Sequence, residues 1–142
     1  MAQNTIPIFV GTPRLSYANS GVNANTAFDG TGTVVTVFTA GSNGSKVESI
    51  RLWHLGTNVA GIVRIFVNNG LTNTTAANNA LVYEAQMGAF TSTANGASSN
   101  GAQDQSRRQP LILQLPAGYK LNITIGTAVA SGYAVTVQGG DY

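Results

Sequence analysis

Apolar and polar residues alternate with a period of two along most of this chain, which is the pattern of β-strands with one buried face. The segment 119–125 places apolar residues on one predicted face and polar residues on the other: Tyr119, Leu121, Ile123 and Ile125 against Lys120, Asn122 and Thr124. The segments 133–138 and 111–115 repeat this pattern. We therefore predict half-buried strands that each turn one face to water.

Two further segments predict strands and indicate which of their faces are buried. The segment 61–67 places Val63, Ile65 and Val67 inward and leaves Arg64 outward. In the segment 46–53 the alternation is less regular, because Ile50 and Leu52 lie on one predicted face while Val47 and Trp53 lie on the other. We therefore expect both faces of this strand to be partly covered.

The remaining strand candidates complete a β-rich domain. The run 34–38 is rich in β-branched residues, the segment 81–86 is counted as a further strand, and the segment 14–18 is a weaker candidate. Gly, Asn and Pro residues between the runs favour turns, and no segment has a helical period of useful length. The pattern predicts an all-β protein, an antiparallel β-sandwich of about eight strands that is jelly-roll-like, in one domain over residues 14–142.

Two segments do not fit the strand pattern. Residues 88–109 are rich in Gly, Ser, Ala and Asn, which predicts a long surface loop. Residues 1–13 combine apolar residues with prolines that disfavour a central strand, so we predict an extended arm: Ile6, Ile8, Phe9 and Val10 with Pro7 and Pro13. The arm either adds a strand to a neighbouring protein or folds over its own sandwich.

The composition is unusual for a protein that works alone. Only 8% of the residues are charged, against about 25% in an ordinary domain. Uncharged polar residues take their place, with 16 Thr, 14 Asn and 17 Gly. Because burying ions is costly, such a surface suits close contact with another protein. The composition therefore favours a part of an assembly.

Several classes of partner and compartment are disfavoured. The net charge of +2 is spread along the chain, and Arg107-Arg108 is the one adjacent basic pair, so we expect no nucleic-acid partner. The absence of cysteine excludes disulfides and thiolate chemistry. The first residues do not resemble a signal peptide, and no apolar run is long enough to span a membrane, so we expect synthesis in the cytoplasm of the cell that makes the protein and no membrane partner.

Catalytic and cofactor signatures are weak throughout. His54 is the only histidine and has no sequence cue for an orienting acid, and the five carboxylates lie in unrelated contexts. The DGTGT sequence at 29–33 and the GSNGSK sequence at 41–46 are better explained as turns than as calcium or phosphate loops. We therefore expect no enzyme activity, no catalytic residue, no metal and no cofactor.

Longer segments resemble a known family. The sequences TAFDGTGTVVTVFTAGSNGSKVESIRL, GTNVAGIVRIFVNNG and LPAGYKLNITIGTAVASGYAVTVQGGDY resemble the jelly-roll cement, or decoration, proteins of tailed-bacteriophage capsids, a family with members in Bordetella podophages. The resemblance spans residues 25–142 except the 88–109 loop. It implies a structural virion protein on the outside of the head, bound to the major capsid protein across subunit junctions and to itself as a homodimer or homotrimer.

The family motifs carry no site residues, so the contact hypothesis rests on the segments outside the strand pattern. We expect the capsid contacts to be made by the arm and by the basic pair at the end of the loop: Ile6, Ile8, Phe9, Val10, Arg107 and Arg108. The alternative is an adhesin domain of a head or tail fibre that binds host surface glycan. The dispersed aromatic residues favour the first interpretation.

Overall fold

A computed structural model describes residues 10–92 and 107–142, with side chains for all of these except 107–109. Within these residues the chain forms nine β-strands and a short 3₁₀-helix at Ala76–Asn78. The strands are β1 (Thr12–Asn19), β2 (Val35–Thr39), β3 (Ser45–His54), β4 (Gly61–Asn68), β5 (Asn79–Met87), β6 (Arg107–Gln109), β7 (Leu113–Leu115), β8 (Lys120–Ile125) and β9 (Tyr133–Asp141).

The strands form two antiparallel sheets. The five-stranded sheet has the order β1-β9-β3-β6 with β7 also paired to β3, and the four-stranded sheet has the order β2-β8-β4-β5. Strand β6 pairs with residues 50–52 and β7 with residues 45–47 of β3, so the two occupy one interrupted strand position. The resulting eight positions have the order of a jelly roll. The predicted all-β sandwich is confirmed.

The core lies between the sheets and uses apolar side chains from both. The predicted inward residues of β8 and β9 are confirmed, each at most 1% exposed: Leu121, Ile123, Ile125, Tyr133, Val135 and Val137. Val63 and Ile65 of β4 are also fully buried, whereas Val67 at the end of β4 is only partly buried.

A β-bulge in β3 changes which residues share a face. The register with β9 shifts between Val47 and Ser49, because an extra residue is inserted there. Val47 consequently lies in the core with Ile50 and Leu52, and all three are 0% exposed. The predicted opposition of Val47 to Ile50 and Leu52 was therefore wrong. Trp53 stays on the outer face.

The outer face of the four-stranded sheet is covered, where the alternation predicted a wet face. Five of its residues are at most 5% exposed, and we call them the covered face: Arg64, Phe66, Asn68, Asn122 and Thr124. Arg64 lies on the outer face of the sheet as predicted, but it is buried there. The prediction that Asn122 and Thr124 face water was wrong. Other chain segments lie over these side chains and exclude water from them.

Residues 20–33 and 69–79 form this cover. Gly30 approaches the sheet so closely that a Cβ atom there would lie 2.6 Å from Asn79 Cβ and 3.0 Å from Phe66 Cδ1. Its φ of 75° is also a conformation that favours glycine. Asp29 accepts hydrogen bonds from the backbone N–H (3.0 Å) and hydroxyl (2.7 Å) of Thr31, which lower the pKa of Asp29. The predicted turn at 29–33 is thus part of the cover.

The predicted arm and loop each extend into a strand. Strand β1 begins at Thr12, inside the predicted arm 1–13, and β6 occupies Arg107–Gln109 at the end of the predicted loop 88–109. Phe90 of the predicted loop forms an isolated bridge with Asn58. The weak strand candidate at 14–18 is confirmed and extends in both directions as β1.

Candidate contact surface

Strand β1 turns its largest apolar side chains outward. Leu15 is 70% exposed and Tyr17 is 79% exposed. The alternate residues Ser16 and Ala18 are half-buried, and Ala18 packs against the core. A strand that served only its own core would place its large apolar residues inward. The outer face of β1 is therefore apolar surface that this fold does not use.

The pairing register extends this surface across β9 to β3. One row aligns Leu15 with Gln138 and Ser49, the next aligns Tyr17 with Thr136 and Arg51, and the third aligns Asn19 with Ala134 and Trp53. Because neighbouring strands lie about 4.8 Å apart, the three strands form a continuous face about 10 Å wide between the outer backbones. We call the outward residues of these rows the open face.

Two open grooves run beside Leu15 on the open face. The larger has a volume of about 500 Å³ and is lined by Val10, Pro13, Arg14, Leu15, Glu48, Gln138 and Gly139. The second has a volume of about 300 Å³ and is lined by Leu15, Ser49, Arg51, Thr136 and Gln138. The exposed Leu15 side chain thus lies between two grooves. This part of the face therefore has a contoured shape that a partner surface could complement.

Charged groups on the open face have defined contacts. The Arg51 guanidinium lies 5.8 Å from the centroid of the Trp53 ring, within the range of a cation–π interaction. Beside the open face, Lys46 Nζ lies 3.3 Å from Glu48 Oε1, in an exposed ion pair. The face and its border therefore combine apolar and aromatic groups with charges of both signs.

A clamp of polar groups fixes the edge of the open face beside β1. Arg14 donates to Thr39 O (2.8 Å) and to Asp141 Oδ1 (3.1 Å), and its guanidinium stacks on Phe38 at 4.7 Å. The Ser45 hydroxyl also donates to Asp141. These hydrogen bonds, first that from Ser45 and then that from Arg14, lower the pKa of Asp141. The clamp joins β1, β2, β3 and β9, so it holds β1 in a fixed position.

The contact residues predicted from sequence are only partly described. Ile6, Ile8 and Phe9 lie outside the described residues. Val10 lines the larger groove. The backbones of Arg107 and Arg108 lie in β6, opposite Leu52 and Arg51 of β3.

The structure therefore places Val10 and the basic pair at opposite edges of the five-stranded sheet. Sequence reasoning missed the open-face residues Leu15, Tyr17 and Trp53. The sequence shows that larger apolar residues alternate with small or polar ones at 14–18, but not that the larger ones face outward.

His54, the one candidate base, is a packed imidazole. It is 3% exposed, and its ring centroid lies 5.1 Å from that of Phe90 and 5.0 Å from that of Tyr133. Its Nδ1 lies 3.3 Å from Asn58 Nδ2. Burial lowers the pKa of His54 and raises that of Tyr133. Within the described part of the chain, no carboxylate contacts His54.

Asn58 joins three loops beside this ring. Its side chain donates to Gly132 O (2.8 Å) and accepts from Ser131 N (2.8 Å), and its backbone exchanges two hydrogen bonds with Phe90. The His54 environment therefore serves to hold the loops after β3, β5 and β8 together.

Two other features, a metal-binding cluster and a membrane-spanning helix, are absent from the described residues. Among the residues at 10–92 and 107–142, no three or more His, Asp or Glu side chains come together in a group that could hold a metal ion. The same part of the chain contains no helix that is long and apolar enough to cross a membrane.

Comparisons with known proteins give no family. No protein-family model matches the chain, and no curated protein matches it. Among solved structures it is similar to those of infectious bursal disease virus, Gt strain (TM-score 0.30, 12% identity) and Gx strain (TM-score 0.26, 12% identity). The alignments cover 97% of this chain and 36% of each viral chain. TM-scores this low carry no argument about function.

Proposed function

We propose that this protein is a structural virion protein, a cement or decoration protein that binds the outside of a tailed-phage head. It bridges neighbouring major capsid subunits and acts through contact rather than catalysis. The resemblance of segments within 25–142 to that family supplies the setting, and the open face supplies the contact surface.

One observation carries the proposal: the outer face of the five-stranded sheet exposes Leu15, Tyr17 and Trp53 on a rigid framework. Large apolar and aromatic side chains that a fold leaves outside its core are typical of protein–protein contact surfaces. Their position on strands, with β1 held by the Arg14–Asp141 clamp, means that little ordering entropy is lost on binding.

The mechanism is mass action on the assembled shell. A protein that binds the assembled lattice but not free capsid subunits stabilises the lattice by RT ln(1 + [L]/Kd) per site. Many identical sites repeat over a shell, so a modest affinity at each site has a large total effect. Stiffness and chemical inertness are sufficient for this role.

Cosedimentation with purified empty heads that lack this protein tests the proposal. Each of the substitutions Leu15→Ser and Tyr17→Ser should lower the affinity for heads about tenfold or more, because each removes roughly 1.5–3 kcal/mol of apolar burial. Leu71→Ser is the matched control, since Leu71 is 63% exposed on the opposite side of the sandwich and its loss should leave binding unchanged. Equal losses in all three variants, or failure of the wild-type chain to bind heads, would contradict the proposal.

The alternative role as a glycan-binding adhesin rests on the exposed aromatic rings of Tyr17 and Trp53, which lie among polar side chains such as Thr136 and Gln138. Aromatic faces and hydrogen-bonding groups together can hold a sugar ring. Binding to host cells that is competed by free glycan, with no binding to heads, would favour this role. Binding to heads that free glycan does not affect would exclude it as the main function.

A further inference from the structure

Backbone neighbours fix the orientation of the side-chain amide of Asn58. The N–H of Ser131 can only donate, and its nitrogen lies 2.8 Å from Asn58 Oδ1. The carbonyl oxygen of Gly132 can only accept, and it lies 2.8 Å from Asn58 Nδ2. Exchanging the oxygen and nitrogen of this amide would break both hydrogen bonds. The atom of Asn58 that faces His54 is therefore the nitrogen.

This orientation assigns the proton of the His54 ring. Asn58 Nδ2 lies 3.3 Å from His54 Nδ1, and its second hydrogen points to this contact. His54 Nδ1 therefore accepts a hydrogen bond, so the neutral ring carries its proton on Nε2. A second proton on the ring goes to Nδ1 and places two N–H groups against each other. Protonation of His54 and its contact with Asn58 are therefore incompatible.

The surroundings of the ring offer no compensating charge. The segments 54–60, 88–92 and 126–132 contain no Asp, Glu, Lys or Arg. Among the described residues, Tyr133 of β9 is the titratable one in ring contact with His54, and burial raises its pKa, so it stays neutral in acid. Arg51 of β3 lies on the opposite, exposed face beside Trp53. A buried imidazolium with no carboxylate beside it is costly.

The same asparagine connects the loops at this end of the sandwich. Its backbone exchanges two hydrogen bonds of 2.8 Å with Phe90, and the Phe90 ring lies against His54. Its side chain binds the backbone of Ser131 and Gly132. These contacts join residues 88–92 and 126–132 to the end of β3 and lie outside the strand ladders. They can therefore break at a lower free energy than the sandwich itself.

We infer that His54 and Asn58 form a proton-sensitive latch, closed while the ring is neutral and opened by a proton on Nδ1. The charged ring turns the Asn58 amide away, which breaks the hydrogen bonds to Ser131 and Gly132. Residues 88–92 and 126–132 are then released, and the rings of His54 and Phe90 separate, while both sheets stay folded. This device goes beyond head binding and does not depend on it.

Nitrogen chemical shifts of the imidazole ring test the tautomer in the full chain. His54 is the only histidine, so its ring signals are assigned without ambiguity. At neutral pH the shifts should identify Nε2 as the protonated nitrogen and Nδ1 as the acceptor. A ring that carries its proton on Nδ1 at neutral pH would overturn the inference.

Amide hydrogen exchange, corrected for the intrinsic effect of pH, tests the release. The N–H groups of Asn58, Phe90 and Ser131 report on the latch, and that of Ile123 in the central strand β8 reports on the sheets. Between pH 6.5 and the folded pKa of His54, latch protection should fall about tenfold per pH unit, because opening takes up one proton.

The protection of Ile123 should stay higher than that of the latch amides by about a hundredfold or more, because its exchange requires unfolding of the sheet. Equal protection of Ile123 and the three latch amides would mean that the loops open only when the whole sandwich unfolds. That result, or latch protection that does not change with pH, would refute a local latch.

Three variants separate the latch from a purely structural role. His54→Phe keeps a ring but binds no proton, so protection of the latch amides should not depend on pH. Asn58→Asp replaces the amide nitrogen by an oxygen that accepts from protonated Nδ1, so it should raise the pKa of His54 and make the loops tighter in acid. Asn43→Asp, exposed near the other end of β3, is the control for added charge and should leave the pKa of His54 unchanged.

Release in acid that persists in His54→Phe would contradict the inference, and so would a His54 pKa that Asn58→Asp does not raise. These measurements need no phage heads. An acid-sensitive latch in a chain that ignores heads would contradict only the proposed function. A chain that binds heads but keeps its loops closed in acid would contradict only the latch.

Discussion

The open face and the covered face are the two outer surfaces of one sandwich, and both follow from the same alternation of residues. On the covered face Phe66 and Asn68 are 0% exposed, although this face was expected to be wet. On the open face Leu15 and Tyr17 are more than two-thirds exposed, although they are the most apolar side chains of β1. Alternation thus tells which residues share a face, but not whether that face meets water, a loop or a partner.

Asparagine makes the covered face possible. Asn68 Nδ2 donates to Asn79 Oδ1 (2.8 Å), Asn68 Oδ1 accepts from Gly70 N (2.9 Å), and Thr36 donates to Asn122 (2.7 Å). Burying a polar group costs free energy unless the group is hydrogen bonded. The high asparagine content, which suggested a surface for assembly, therefore also serves an internal polar layer.

Arg64 lies in this layer with its charge compensated. Its Nε donates to Glu84 (2.7 Å), and its guanidinium lies 4.0 Å from the centroid of the Phe28 ring. Phe28 is itself 64% exposed, so it acts as a lid over the charge.

The largest difference should appear when one aromatic residue is removed from each outer face. Phe66→Ala should lower the free energy of unfolding by about 3–5 kcal/mol, because a fully buried ring is lost. Tyr17→Ala should change it by less than about 0.5 kcal/mol. Denaturant unfolding followed by the fluorescence of the single tryptophan, Trp53, measures both. Similar losses in the two variants would remove the distinction between the faces.

The closeness of the cover can be tested at Gly30. Gly30→Ala should cost about 1–3 kcal/mol of unfolding free energy, since its φ of 75° and its contact with Asn79 both oppose a Cβ atom. Gly88→Ala is the control, because no atom lies within 4 Å of its added Cβ. If Gly30→Ala is as stable as the control, residues 20–33 do not pack as a cover.

The clamp beside the open face should contribute less to the unfolding free energy than the contacts of the covered face. Asp141→Asn should lower the unfolding free energy by about 1–2 kcal/mol at neutral pH. This value is in the lower part of the range for hydrogen bonds to charged groups, because the Asp141 side chain is 25% exposed. Because the folded pKa of Asp141 lies below 3.8, its contribution is present above pH 3.8 and disappears as the pH falls through the folded value. Glu48→Gln, in an exposed ion pair, should change stability little.

The smallest of these effects should be the decrease of the unfolding free energy in mild acid. The folded pKa of His54 lies below 6.5, so the unfolded chain binds more protons and stability declines as the pH falls below 6.5. His54→Phe keeps a ring between Phe90 and Tyr133 and should remove this decline. The loss from Phe66→Ala should be the same at pH 5 and pH 7, because its neighbours Gly30 and Asn79 do not titrate. If the decline persists in His54→Phe, another titrating group causes it.

The alternation of residues was sufficient to predict the strands, the sandwich and much of the core. Leu121, Ile123 and Ile125 are buried as expected because side chains of an extended backbone point to opposite faces in turn, which is a property of local geometry. The turn at 29–33 was predictable for the same reason, since glycine and Asp side chains favour turns wherever they lie.

Contacts between distant parts of the chain decided the rest. One inserted residue near Glu48 moves Val47 into the core, and Gly30 excludes water from Phe66 although 36 positions separate them in the sequence. The outward Leu15 and Tyr17 became visible only when β1 was placed at a sheet edge beside β9. Burial depends on which segments meet in space, and a period of two along the chain carries no information about that.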